Sequence, residues 1–412
     1  MKVMFLNRVY PPAEGATGKL LAELAQELIQ RGWEVTVVTS RSSADLPRSE
    51  LVAGVRVERV NTLRFTRTSH WRRALSYLTV YPALLGRTLR LARADVVVTM
   101  TDPPLLVLLG PLLKWTKASR LVHWAQDLYP EVAEELGVLR KGGGLAKLCT
   151  GLSTWAARRH DRIIAVGRCM KQRLVGRGLP QETIHVVPNW AGAVNPMETA
   201  ANPFRREHDL EGRFVVMYSG NLGLAHPFEA ILEAATQLQS TNPGIVIVMV
   251  GGGPRLESVK RAASERSLDN VRFLPPQPAE RLAQSLGAAD LHLVSMRDEL
   301  CGLVVPSKIY GVLAAGRPCV FLGPKESEAA RLLEEFQCGA VINPADGAAL
   351  SRCLVGWASD AERVREAGQR AREASAHFNT RRAAQALHEI LLQAARAETG
   401  FALQQTASRT QT

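Results

Sequence analysis

Both halves of this chain open on the same pattern. Val3 to Leu6 is a short apolar run, and the loop after it holds Pro11, Pro12, Gly15 and Gly18. Leu20, Leu21, Leu24, Ala25 and Leu28 then recur at helical spacing and are closed by Gly32. Phe214 to Ser219 is a second such run, followed by Gly220-Asn221-Leu222-Gly223 and a helical pattern from Pro227 to Leu238. Short apolar runs alternating with helical patterns predict a parallel sheet covered by helices, because strands buried on both faces carry no polar alternation. Further strands are expected at Glu34 to Thr39, Asp95 to Met100, Arg120 to Trp124, Arg162 to Val166 and Ile184 to Val187. In the second half they are expected at Ile245 to Val250, Val271 to Leu274, Leu291 to Val294 and Cys319 to Leu322.

A chain of 412 residues exceeds what one core usually supports. Pro, Asn, Gly and Ala cluster between Pro188 and Pro203, which marks a linker. The expected division is a Rossmann-like domain over 1–195, a second over 196–378, a helix over 379–398 packing back toward the first, and a disordered polar tail over 399–412. The fold class is α/β, two facing doubly wound domains with a cleft between them. In such sheets ligands sit beyond the carboxyl ends of the strands.

The most informative single stretch is Val305-Pro306-Ser307-Lys308-Ile309-Tyr310-Gly311, running into Ala315-Gly316-Arg317-Pro318. A lone lysine opens a helix there. Amides at a helix start and a full positive charge suit a phosphate or diphosphate. An ordinary buried helix with one lysine accounts for the same spacing. Gly15-Ala16-Thr17-Gly18, Gly220-Asn221-Leu222-Gly223 and Gly251-Gly252-Gly253 each follow a strand and leave backbone bare for a ligand. A tight turn needs the same glycines. Neither G-x-G-x-x-G nor G-x-x-x-x-G-K-[ST] occurs.

Asp127 and Glu131 lie where a strand ends and a helix with Pro130 near its first turn begins. A carboxylate there accepts a proton or a sugar hydroxyl, and Asp127 is equally placed to cap the helix. Glu326 and Glu328 stand at another strand-to-helix loop and suit ribose or sugar hydroxyls, or merely the helix dipole. His123 reads as a strand residue with a satisfied partner.

The net charge of +12 favours an acidic partner. Between Glu58 and Asp95 no acidic residue occurs, while Arg59, Arg64, Arg67, Arg72, Arg73, Arg87, Arg90 and Arg93 do, with Trp71, Tyr77 and Tyr81 interleaved. Such a stripe can lie on anionic lipid, and it can equally be a solvated basic face. No zinc-finger, RRM or helix-turn-helix pattern accompanies it, so nucleic acid is not expected. The six cysteines are scattered without a CxxC pair and read as core residues in a reducing compartment, forming neither disulfides nor a metal site. The N-terminus does not read as a signal peptide, and no run reaches the ~18 apolar residues of a membrane span. The expectation is a cytoplasmic protein, peripheral on the inner face of the membrane.

In order and spacing these pieces resemble the retaining glycosyltransferases of family 4, with GT-B architecture. The resemblance rests on Tyr10-Pro11-Pro12, the glycine loop at 15–18, Gly32-Trp33-Glu34-Val35-Thr36-Val37-Val38-Thr39, Val187-Pro188-Asn189-Trp190, Tyr218-Ser219-Gly220-Asn221 and Pro306-Ser307-Lys308. Together with Asp127-Leu128-Tyr129-Pro130-Glu131 it is similar to fucosaminyl- and colanic-acid-type transferases of bacterial surface polysaccharides, such as capsule or O-antigen. The resemblance implies a nucleotide-sugar donor, UDP-linked, held mainly by the second domain, and a lipid-linked saccharide acceptor served by a membrane-facing first domain. The transferred sugar would be a hexosyl or N-acetylhexosaminyl group, with no metal or cofactor required. Gly220, Asn221, Gly251, Gly252, Ser307 and Lys308 would hold the diphosphate, Gly15, Thr17 and Gly18 would close on it, and Glu326 would lie near ribose or sugar. Arg72, Arg73, Arg87 and Arg90 would meet the membrane. The family's paired glutamates are replaced by Leu303 and Gly311, and Gln126 stands where a histidine is usual. Asp127 and Glu131, with Lys308, are then the catalytic candidates. A GT-B epimerase and a non-catalytic nucleotide-sugar-binding subunit are the alternatives.

Overall fold

The computed structural model describes residues 1–63, 70–117, 119–192 and 201–396, with the side chains of 70–75 excepted. The expected tail at 399–412 lies outside these residues, as do Arg64 and Arg67. The chain divides into two compact units. One is Met1–Pro188 with the C-terminal helix Thr380–Arg396, and the other is Asn189–Asn379.

The first unit is built on an eight-stranded sheet. Its strands are β1 (Lys2–Leu6), β2 (Glu34–Ser40), β3 (Ser49–Val52), β4 (Val55–Val60), β5 (Val96–Thr99), β6 (Arg120–Ala125), β7 (Arg162–Ala165) and β8 (Ile184–Val186). Their order is β3-β4-β2-β1-β5-β6-β7-β8, parallel throughout except for the β3–β4 hairpin at the edge. That hairpin is the part the apolar pattern did not predict. β4 reads Val-Arg-Val-Glu-Arg-Val, too charged for a buried strand by composition. The charges pair internally. The fully enclosed Glu58 carboxylate meets Arg87 at 2.5 Å and Arg56 at 2.7 Å, and Arg59 pairs with Glu50. Desolvation would raise the Glu58 carboxyl, but hydrogen bonds from Arg87, Arg56 and Ser49 outweigh it and hold it below the ordinary glutamate range.

Helix α1 (Ala16–Gln30) buries Leu20, Leu21, Leu24, Ala25 and Leu28, the residues whose spacing predicted it. It stops where Gly32 takes a φ of +83°. The helix Thr380–Arg396 lies on α1 and buries Leu387, Ile390 and Leu391, and Trp33 Nε1 donates to His388 Nδ1 at 2.8 Å. At roughly 2 kcal/mol per large side chain withdrawn from water, that face fixes the helix to the first unit.

The second unit carries a wholly parallel six-stranded sheet. Its strands are β9 (Phe214–Ser219), β10 (Ile245–Val250), β11 (Val271–Leu274), β12 (Leu291–Ser295), β13 (Cys319–Leu322) and β14 (Gly339–Ile342), in the order β11-β10-β9-β12-β13-β14. β14 was not expected. It is four residues long and begins with a glycine packed against the Cys319 carbonyl. In both sheets the strand order reverses beside the first strand, between β1 and β5 and between β9 and β12. Chains leaving such neighbours diverge to opposite faces, which opens a crevice at the carboxyl ends.

Candidate functional site

The reversal point of the second sheet gathers most of the residues singled out in that half. β9 ends in Tyr218-Ser219 and turns at Gly220, whose φ of +130° suits glycine alone. β10 ends at Val250, and Gly251 is pressed against this turn. A Cβ there would stand 2.0 Å from the Gly220 carbonyl oxygen, and one on Gly253 would stand 2.4 Å from Asn221 Oδ1. The glycines at 251 and 253 are therefore needed to stack two strand-end turns on each other. Gly252 has only ordinary contact with Pro276.

Lys308 enters from a third direction. It is the first residue of a helix of only seven residues, Lys308–Ala314, so the anion-binding argument rests on the ammonium beside the glycine turns rather than on a helix dipole. The Gly220, Leu222 and Gly251 amides already donate to the Val250, Gly252 and Leu274 carbonyls. A Cβ on Gly220 would lie 3.5 Å from the lysine Nζ, so amine and turn are neighbours. Nζ donates to the Tyr218 hydroxyl at 2.5 Å and lies 3.9 Å from the centre of that ring. The Tyr218 hydroxyl in turn donates to the Asn221 carbonyl at 3.0 Å. Burial brings the Lys308 amine down to about 7, with no carboxylate opposing the shift. His226 Nδ1 meets the Ser295 carbonyl at 2.5 Å, which fixes the ring's proton on that nitrogen. Burial and the Lys308 charge hold His226 down to about 3, so the ring stays neutral. Ser307 is exposed just before the helix.

The structure thus places Gly220, Asn221, Gly251 and Lys308 side by side. It adds Tyr218 and His226, which the sequence reading did not select as site residues. Glu326 is elsewhere in the unit. It is exposed and lines a depression of about 430 Å³ at the ends of β13 and β14, with Asp298, Lys325 and Asn343. Burial, Glu299 and Glu326 together raise the Asp298 carboxyl. Glu328 is buried in the first turn of its helix.

In the first unit Gly15 and Gly18 pack on Val9. A Cβ on either would come within 2.9 Å of that residue, so internal packing accounts for both. Thr17 accepts a hydrogen bond from Asn7 Nδ2 at 3.4 Å. Across the reversal point Arg8 grips Asp102 through two bonds, at 2.7 and 2.9 Å.

Asp127 does not cap the helix Glu131–Glu135. Pro130 holds that position, without a side-chain bond. Burial and the nearby Asp102 raise the Asp127 carboxyl to about 6. It lines a small pocket with Thr101, His123 and Arg177. Glu131 is paired with Arg177 at 2.5 Å, and burial keeps its carboxyl above the ordinary value although Arg177 opposes this. His123 bonds both the Thr99 hydroxyl and the Thr99 carbonyl at 3.0 Å, and its buried ring is held down to about 3. His123 therefore orders the sheet.

The arginine stripe does not form one face of free cations. Arg87 is taken up by Glu58 and Arg59 by Glu50, while Arg90 is exposed. Arg72 and Arg73 lie in helix α2 (His70–Arg90), but their side chains fall outside the described residues. Among the described residues no helix is long and apolar enough to cross a membrane.

Residues 15–190 match the family described as Glycosyl transferase 4-like domain, and residues 201–374 match Glycosyl transferases group 1. WbjE of Pseudomonas aeruginosa, named a probable glycosyltransferase, is 29% identical over 65% of this chain and 67% of its own length. WcaI of Escherichia coli K12, named a putative colanic acid biosynthesis glycosyl transferase, is 26% identical over 82% of this chain and 86% of its own. The fold matches sucrose-phosphate synthase of Thermosynechococcus elongatus with a TM-score of 0.78 at 16% identity, covering 95% of this chain and 98% of that one. It matches Anabaena HepE in complex with UDP-glucose at 0.73 and 17% identity, covering 95% of this chain and 100% of the other.

Proposed function

This chain belongs to the GT-B glycosyltransferases, with a Glycosyl transferase 4-like domain followed by a group 1 domain, and from that premise we propose the reaction it carries out. It moves a hexosyl or N-acetylhexosaminyl group from a UDP-linked donor to a lipid-linked saccharide, with retention at the anomeric carbon, in the building of a bacterial surface polysaccharide.

One observation carries this reading. Lys308 holds an amine withdrawn from water, with no acidic partner among the described residues, against the glycine turn that ends β9. A buried cation without a counter-charge is costly, and a bound anion removes that cost. The leaving group of a nucleotide sugar is a diphosphate. The lysine would neutralise charge that grows on it as the glycosidic bond breaks. Tyr218 holds the amine in place. The depression beside Glu326 has acceptors for ribose hydroxyls. Asp127, accessible to a proton near neutral pH, is the first unit's candidate for contact with a sugar or acceptor hydroxyl. The choice of uridine is supported by the HepE structures holding UDP and UDP-glucose, and the surface-polysaccharide setting by the names of the relatives.

A thermal-shift series with UDP-, GDP-, ADP- and dTDP-sugars tests the donor. A ligand at a hundredfold excess over its Kd adds about 2.7 kcal/mol to the folded state, a rise of several degrees in Tm. The expected result is stabilisation by UDP and UDP-sugars, followed by transfer to a lipid-linked saccharide. No shift with any nucleotide, or conversion of the donor to an isomer without acceptor, would contradict it.

A further inference from the structure

The first unit exposes large apolar side chains on two neighbouring helices. On Gly144–Ala157 they are Leu145, Leu148, Leu152 and Trp155, alternating three and four residues apart, so all four lie on one face. On Leu109–Lys117 they are Leu112 and Trp115, three apart. Trp115 is 83% exposed, Leu145 62% and Leu148 59%. Leu112, Trp115 and Trp155 line one shallow depression together with Arg158 and Arg159, so the two stripes belong to one surface. A folded protein does not ordinarily leave a contiguous patch of this kind in water unless something covers it.

The charge around the patch is predominantly positive. No acidic residue occurs in 103–126 or in 136–160, while Lys114, Lys117, Lys147, Arg158 and Arg159 do. Arg159 lies 4.0 Å from the centre of the Trp155 ring. Lys147, between the leucines, has no acidic partner among the described residues. The acid that closes this stretch, Asp161, is neutralised by Lys114 at 3.1 Å and Arg120 at 3.3 Å. Exposed leucines, tryptophans and cations on one surface are the side-chain types that enter, border and face an anionic bilayer.

We propose that this face of the helices Leu109–Lys117 and Gly144–Ala157 docks the protein on an anionic lipid surface. The occupant is a membrane because one partner then meets both the apolar stripe and the net positive rim. This deepens the proposed function, since it rests on that reading for its purpose: an acceptor anchored in lipid is presented at that surface.

The test is flotation of the full chain with vesicles of phosphatidylcholine alone and of phosphatidylcholine with one-third phosphatidylglycerol. UDP binding and oligomeric state are measured on the same samples. The wild type is expected to float with the anionic vesicles only. The triple variant Trp115→Ser, Leu148→Glu, Leu152→Glu changes exposed positions and is expected to lose tenfold or more of that binding, with UDP affinity unchanged. The single variant Trp115→Ser, with an intermediate loss, guards against misfolding of the triple. The proposal is overturned if the wild type does not float, or if the triple variant floats as well as the wild type. It is also overturned if the wild type is a dimer that the triple variant converts to a monomer, since a second copy would then be the occupant. Flotation without UDP binding would contradict the transferase reading and leave the docking surface standing.

Discussion

Replacing Lys308 by alanine is expected to lower kcat/KM for sugar transfer by two to three orders of magnitude while the protein stays folded. A preorganised donor aimed at charge developing in the transition state is worth about 3–4 kcal/mol when removed. Lys308 fits that description more closely than any other side chain of the second unit, because it stands beside the Gly220 turn and is held by the Tyr218 hydroxyl. The cost to the fold is small for the same reason. An unpaired, desolvated amine does not stabilise its surroundings, so Tm should fall by no more than a few degrees and can rise. Lys308→Arg should not restore full activity. A guanidinium is a planar fork with no rotatable ammonium, and the space between Tyr218 and Gly220 was filled by a straight chain. Steady-state kinetics with UDP affinity measured alongside separates the effects. The loss should appear in both, since the ammonium touches the diphosphate before and during bond breaking.

Gly251→Ala should have the largest effect on the fold of any single methyl added near the site. Its Cβ would sit 2.0 Å from the Gly220 carbonyl oxygen, which no side-chain rotation relieves. Its φ of +146° adds strain of about 1–3 kcal/mol for a residue with a side chain. The two strand-end turns must part, and Gly220 then leaves Lys308. Chemical denaturation should show about 3 kcal/mol or more of destabilisation, with UDP binding lost in whatever protein remains folded. Gly252→Ala, where the added carbon meets only Pro276 at 3.6 Å, is the control and should be near neutral. Equal stability of the two variants would mean that the turns are not stacked as described.

The strands legible in the sequence were those buried on both faces, such as Ile245–Val250 and Cys319–Leu322, because nothing but apolar side chains fits there. The hairpin Ser49–Val60 was not legible, because its polar residues are matched across strands and to a distant helix. The spacing of Glu58 says nothing of Arg87 lying over it. The same limit shaped the reading of charge. A run of arginines can be counted in a sequence, but which of them are free depends on partners that only folding supplies. The exposed leucines and tryptophans of 109–157 were not singled out in the sequence, for the complementary reason. Helical spacing marks an apolar face without saying whether anything covers it.

At the site, the motif residues Gly220, Asn221 and Lys308 were found by their local pattern. Tyr218 and His226 were not, since each gains its role from a bond to a residue far along the chain, Lys308 for the one and Ser295 for the other. Asp127 had two equally good local roles, and only the backbone of the following helix removes the capping one.

The central claim, that a desolvated lysine receives the donor's diphosphate, has a direct thermodynamic signature. With a pKa of about 7 in the free protein, the Lys308 amine is mostly neutral at pH 8. A polyanion placed against it raises that value, so binding draws in a proton, and affinity declines as pH rises above 7 by up to tenfold per unit. Titration calorimetry of UDP at pH 8, in two buffers of different ionisation enthalpy, measures that proton. The account predicts an uptake close to one proton per UDP by the wild type and none by Lys308→Met. Binding without proton uptake, or the same uptake in the variant, would contradict it.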